Sequence, residues 1–162
     1  PYCARHAVQT EPLLYEAYVK TGKVVQVFRN FPLDFHSNAV GAAKAAICAG
    51  EQDPKLFWEM HDWLFTSQAT WSSAQDAADQ FRKQALAIGA DGSKYDACLA
   101  DAKTQAVVDK DLKDGSAMGV RGTPAFFLYK MESGQPVGDP KPLSGALPYD
   151  QFNKVIDDLL AP

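Results

Sequence analysis

The chain has 162 residues, 46% of them hydrophobic and 22% charged, with a net charge of −4 and a pI near 5.3. That length holds one sizeable core with an insertion rather than two independent enzymes. The acidic balance, offset by no basic stripe, argues against nucleic acid as a partner, and no apolar run approaches the ~18–20 residues of a membrane span.

In chain order, Pro1-Tyr2-Cys3 leads through Ala4-Arg5-His6 into a predicted helix over residues 4–20. Its apolar positions are Ala7, Leu14, Ala17 and Tyr18, with a kink at Pro12, which removes an N–H from the ladder. Thr21-Gly22 closes it. Residues 23–29 are β-branched and read as a strand, and 30–36, with Pro32 inside, as an exit loop. Helices are then predicted over 38–49, capped by Ser37, and over 54–65, with Asp53 as cap and Pro54 at the first helical position. Another opens at Ser72 or Ser73 and stops at Gly89, and two more cover 93–100 and 103–115. After Gly122 the pattern returns to strand over 125–130, a Gly/Pro-rich turn, a short strand at 141–144, and a last helix over 149–160. A βαβ half and a ββα half therefore flank an all-helical insert, which is compatible with a thioredoxin-type α/β fold.

Two segments carry chemistry. Pro1-Tyr2-Cys3 matches the last three positions of a C-P-Y-C redox motif. At a helix start, unpaired N–H groups and the positive end of the dipole stabilise a thiolate. The first cysteine of such a pair attacks, and the second, one turn on, resolves the mixed disulfide; Cys3 occupies the second position. By themselves these three residues fit an ordinary helix cysteine as well. Far along the chain, Gly122-Thr123-Pro124 is a turn feeding the aromatic run Ala125-Phe126-Phe127-Leu128-Tyr129, with proline where a strand tolerates it. A cis bond there leaves the Thr123 backbone as an edge for an extended peptide, and a trans proline in a loop is the alternative.

Cys48 lies in a small-residue run, and Cys98 shares a helical stripe with Tyr95, Leu99 and Ala102, so both are expected to face the interior. Two readings stand: a structural Cys48–Cys98 disulfide suited to an oxidising compartment, or two free buried thiols. His6 follows Cys3 by three residues, but His36 and His61 complete no second pair with metal-ligand spacing, so no metal is expected. His6 and Arg5 are expected as surface-exposed bystanders; the alternative is that one of them adds positive potential near the thiols. Asp109, Asp111 and Asp114 are expected on a solvated helix face, and Phe57, Trp58, Trp63 and Phe65 as core between insert and sheet.

With P-Y-C-A-R-H at the front and G-V-R-G-T-P-A-F-F at the back, the chain resembles the DsbA-like branch of the thioredoxin-fold disulfide oxidoreductases. The intervening 28–33, 45–49 and 57–65 also look like that family, in its order. The resemblance implies an α/β thioredoxin fold, residues 1–36 and 117–162, with an inserted helical domain at 37–116. It implies Cys3 and Pro124 as catalytic, Pro1 and Tyr2 as the dipeptide that tunes the potential, and Gly122 and Thr123 as substrate-binding. It implies no cofactor, an extracytoplasmic or periplasmic location, and reduced or misoxidised secreted polypeptides as partners, with a membrane-bound re-oxidising or reducing protein.

The attacking cysteine of that pattern, and the strand before it, are not among the 162 residues. Orphaned strand edges inside the protein would each leave groups costing about 1–3 kcal/mol, against a total stability of about 5–15. The expectation is therefore a native chain that continues upstream through a cysteine and a β-strand. If that residue is not cysteine, two rivals follow: a redox-inactive binding module or chaperone, and a glutathione-dependent transferase or isomerase.

Overall fold

Helix α1 (Tyr2–Gln9) begins at the second residue of the computed structural model, which describes residues 1–161. Two compact units result, one of residues 1–28 together with the chain from Arg121 onward, the other Arg29–Val120.

In the first unit α1 stops at Thr10, and α2 (Glu11–Leu14) restarts with Pro12 in its first turn, where a missing N–H leaves no ladder bond unmade. Pro12 therefore divides the predicted single helix instead of kinking its interior. A π-helical turn, Tyr15–Val19, follows. His6, Thr10 and Tyr18 are buried at fourfold spacing on one face. Residues 23–29 form no strand: the run is β-branched, but a strand exists only within a ladder, and no partner lies among the described residues. Val25 and Val27 are consequently exposed at 84% and 72%.

Strands β1 (Ala125–Glu132) and β2 (Gln135–Ser144) form an antiparallel hairpin. Ser133 and Gly134, at φ 49° and 78°, make the two-residue loop between Glu132 and Gln135, the geometry that matches strand twist. The expected turn over 131–140 is thus mostly strand. Gly138 and Pro140 sit opposite a register irregularity between Leu128 and Lys130 of β1, while Pro136 pairs in register with Met131, and Gly138 has φ 70°; an edge strand tolerates proline because its outer face needs no donors. Helix α9 (Tyr149–Leu160) lays Phe152 and Ile156 against Tyr18, Phe126, Leu128 and Leu143. The Tyr18 hydroxyl donates to Asp157 Oδ1 at 2.8 Å and also contacts Asn153 Oδ1.

The second unit is helical: α3 (Ala39–Gly50), α4 (Pro54–Thr66), α5 (Gln68–Trp71), α6 (Ala77–Ala87), α7 (Gly92–Ala100) and α8 (Ala102–Ala117). Alanines of α3 form a flat face on which Met60, Leu64, Trp71, Phe81 and Tyr95 pack, and Trp63 and Trp71 meet the Phe81 ring edge-on. The aromatic residues of α4 thus serve the helical core and, at Phe57, Trp58 and Phe65, surround the buried His61 ring. Asp53 caps α4 as expected, its carboxylate accepting from Lys55 N at 2.8 Å. Asn38, not Ser37, precedes α3, and its amide is turned to the carbonyls of Trp71, Ser72 and Ala74.

Asp111 corrects the solvated-face expectation. It is buried, pairs with Arg29 Nε at 2.8 Å and accepts from the Asn30 backbone N–H at 2.9 Å. Asp114 also pairs with Arg29, at 2.7 Å. These bonds, with Gly115 admitting the Phe31 ring, place Arg29–His36 with the helical unit. Cys48 and Cys98 form a disulfide between α3 and α7, Cα–Cα 5.6 Å. Thr104 packs beside it, its hydroxyl donating to the Cys98 carbonyl at 2.6 Å.

Candidate functional site

The first unit contains both segments singled out in the sequence. Cys3 sits in the first turn of α1, half-buried and outside any disulfide, while Pro1 and Tyr2 before it are exposed, Tyr2 at 59%. The Thr123–Pro124 peptide bond is cis, and Gly122, Thr123 and Pro124 are half-buried. The space beside the Gly122 Cα is open, with no neighbouring atom within 4 Å of where a Cβ would lie.

The two segments are joined by a chain of short contacts. One turn beyond Cys3, the His6 ring packs 4.5 Å from Phe126 and 5.2 Å from Phe152, centroid to centroid. Phe126 lies two residues after Pro124, so this contact ties α1 to the start of β1. Arg5 donates from a guanidinium nitrogen to the Ala146 carbonyl at 3.0 Å, and the Thr10 hydroxyl donates to the Leu147 carbonyl at 3.2 Å. The neighbouring Gly145 N–H donates to the Pro124 carbonyl at 2.8 Å. The loop after β2 is thus held by α1 on one side and by the proline turn on the other. Arg5 also places its guanidinium 5.4 Å from the centre of the Tyr2 ring.

His6 is a correction: it is buried under the helix rather than exposed beside the thiol. Its burial was signalled by the spacing of His6, Thr10, Leu14 and Tyr18, four residues apart and on one helical face. Arg5 remains exposed, as expected, but its double engagement with Tyr2 and Ala146 had no sequence signal, because Ala146 contributes only a backbone carbonyl. Cys48 and Cys98 pair within the helical unit and belong to its core. Among the described residues, no group of three or more His, Cys, Asp or Glu is arranged to hold a metal ion, and no helix is long and apolar enough to cross a membrane.

Chemically, the arrangement offers a thiol at a helix start, an exposed aromatic ring beside it and an open proline turn anchored to the same helix. These are parts suited to thiol–disulfide exchange with an extended chain.

The profile of a family described as Thioredoxin matches residues 1–158. A Bacillus anthracis protein named a probable disulfide bond formation protein D is 27% identical over 132 residues, 79% of this chain and 59% of that protein. Across the curated relatives it matches, the chain spans 47% to 60% of their length. Among solved structures, alpha-DsbA1 of Wolbachia pipientis superposes with a TM-score of 0.84 at 22% identity, covering 98% of this chain and 79% of that one. A periplasmic thioredoxin-like protein of Salmonella enterica serovar Typhimurium gives a TM-score of 0.72 at 23% identity, covering 100% and 79%. The fold is accordingly a thioredoxin fold with a helical insertion.

Proposed function

The chain belongs to the thioredoxin family, and from that premise we propose that it acts as a thiol–disulfide oxidoreductase on secreted polypeptides. The observation that carries the reading is the union in one compact unit of Cys3 on the first turn of α1 and the cis Thr123–Pro124 turn, linked through Gly145–Leu147. The name of the Bacillus anthracis relative, a disulfide bond formation protein, points the same way.

In this reading Cys3 is the second sulfur of a C-x-x-C pair, whose first position precedes Pro1 by the spacing of the motif. With the pair oxidised, a substrate thiolate attacks the first sulfur. The bond to Cys3 breaks, and Cys3 leaves as the thiolate. A second substrate thiolate then attacks the substrate sulfur of the mixed disulfide and releases the reduced pair, so that the substrate loses two electrons and the enzyme gains them. In reverse, Cys3 attacks the mixed disulfide. Thr123 supplies backbone edge to an extended substrate, Gly122 keeps that edge open, Pro124 forms the turn, and Pro1 and Tyr2 flank the reacting sulfurs. The substrates are reduced or misoxidised chains, and the pair is returned to its starting state by a separate redox protein at the membrane.

An extracytoplasmic, periplasmic setting fits the Cys48–Cys98 bond, since structural disulfides persist in oxidising compartments. The periplasmic description of the Salmonella relative agrees with it.

Cys3→Ser in the full-length protein provides the test. Without Cys3 no disulfide forms within the motif, but the remaining motif thiolate still attacks an oxidised substrate: the substrate disulfide breaks, one substrate sulfur leaves as thiolate, and the mixed disulfide that Cys3 would cleave accumulates as higher-mass bands that vanish on reduction. Absence of such species, in a variant that folds, overturns the assignment of Cys3.

A further inference from the structure

Arg5, on α1, touches both walls of the candidate site. Its guanidinium lies 5.4 Å from the centre of the Tyr2 ring and donates to the Ala146 carbonyl at 3.0 Å. The residue before Ala146 is Gly145, whose N–H holds the Pro124 carbonyl at 2.8 Å. The route from the Tyr2 ring to the proline turn is therefore one cation–π contact, one side-chain hydrogen bond and one backbone hydrogen bond, with a single peptide unit between the last two. Deeper in the unit, the Thr10–Leu147 hydrogen bond and the His6–Phe126 packing hold α1 to the same loop and strand. They do not reach Tyr2; among the described residues it is Arg5 that lies over the exposed ring.

We propose that Arg5 is a positioning residue for polypeptide substrates: it fixes the Tyr2 ring relative to the Thr123-Pro124 turn, so that an extended chain meets both in one register with its sulfur at the motif. The proposal rests on the oxidoreductase reading above. A planar guanidinium suits the task because it can stack on a ring face while donating in its own plane to a carbonyl. Lysine retains the charge and a donor but not the fork; glutamine retains a donor and loses the cation.

A ratio of two rates separates positioning from reactivity, because any effect of the Arg5 charge on the Cys3 sulfur enters both rates alike. A small reagent needs only an accessible thiol, whereas a peptide must also find the ring and the turn at the right spacing. The readout is the ratio of two alkylation rates at Cys3: that with a short extended peptide carrying a chloroacetyl group, over that with iodoacetamide. Both are followed by the mass of the peptide that contains Cys3.

In the wild type the ratio is expected to exceed that of an unfolded control. Arg5→Met should lower it about five- to tenfold, the size expected when one cation–π contact and one hydrogen bond are lost together. Arg5→Lys and Arg5→Gln should fall between wild type and Arg5→Met, with thermal midpoints close to wild type because Arg5 is exposed. A wild-type preference that survives in Arg5→Met overturns the positioning role and leaves the oxidoreductase reading standing. A parallel fall of both rates, with the ratio unchanged, shows a merely structural role and also overturns it. A wild type without preference for the peptide probe removes polypeptide recognition itself, and both readings with it.

Discussion

The His6 imidazole stacks at a tilt against Phe126, with ring centres 4.5 Å apart, joining the helix turn that follows Cys3 to the strand that follows Pro124. Phe152 of α9 closes the same pocket, 5.2 Å from His6 and 4.8 Å from Phe126. Three elements distant in sequence thus share one aromatic contact beneath the candidate site.

His6→Ala should therefore lower stability by about 1–3 kcal/mol through lost packing in a buried position. Urea unfolding followed by fluorescence checks this. A midpoint within error of wild type would show that the ring contact contributes nothing net.

Two buried tyrosines predict opposite outcomes for the same substitution. The Tyr18 hydroxyl is bonded to Asp157 and Asn153, so Tyr18→Phe strips these acceptors of a donor and should cost about 1–2 kcal/mol. Tyr95 is fully buried, and its hydroxyl has no partner among the described residues. Tyr95→Phe removes an unpaired polar group and should leave stability equal or slightly higher. Chemical denaturation of both variants, side by side, tests the contrast.

The same hydroxyls predict the alkaline behaviour. Burial pushes both Tyr18 and Tyr95 above the ordinary tyrosine range, and the hydrogen bond to Asp157 adds to the effect at Tyr18. In the unfolded chain they ionise near pH 10. Above that pH the folded state holds more protons than the unfolded, so their contribution is fully present below about pH 10 and is lost as pH rises beyond it. The double Phe variant should show a shallower loss of stability from pH 9 to 11 than wild type, read from urea midpoints at each pH.

The Cys48–Cys98 bond closes a loop with a sequence separation of 50. Replacing both cysteines by alanine should cost about 2–4 kcal/mol, chiefly through the gain in freedom of the unfolded chain. The substitution should leave Cys3 alkylation intact in the folded protein, because the bond serves the helical unit. Calorimetry gives the first quantity and peptide mass the second.

Gly50, the last residue of α3, admits Phe57 so closely that an added Cβ would lie 2.8 Å from the Phe57 Cβ. Helix propensity alone favours alanine over glycine by about 1 kcal/mol. Here overpacking outweighs it, since a Cβ cannot rotate away as a side-chain tip can, and Gly50→Ala should destabilise by about 1–3 kcal/mol. A stabilised variant in thermal unfolding would refute the close approach.

Local chemistry was legible in the sequence wherever one residue decides it. Asp53 followed by Pro54 announces the start of α4, and the apolar spacing of Phe152 and Ile156 marks α9 with both of its ends. The motif at Cys3 and the turn at Gly122-Thr123-Pro124 were likewise visible, because thiol, glycine and proline are chemically distinctive. Long-range pairing was not visible. Residues 23–29 have the composition of a strand, yet composition supplies no ladder partner. Pro136 and Pro140 looked like a turn and lie in β2, because the edge of a hairpin leaves their missing donors unneeded.

For the site, the sequence by itself determined which groups carry the chemistry: the Cys3 sulfur, the proline after Thr123, and the aromatic run beyond it. Only the tertiary structure decided how they are held. His6 is buried because α1 lies against β1 and α9, Asp111 is buried because Arg29 and Asn30 come down upon it, and Arg5 is engaged by a carbonyl 141 residues away in sequence. A side chain states what it can bond. Which backbone group arrives to meet it is set by packing of the whole unit, and no local pattern encodes that.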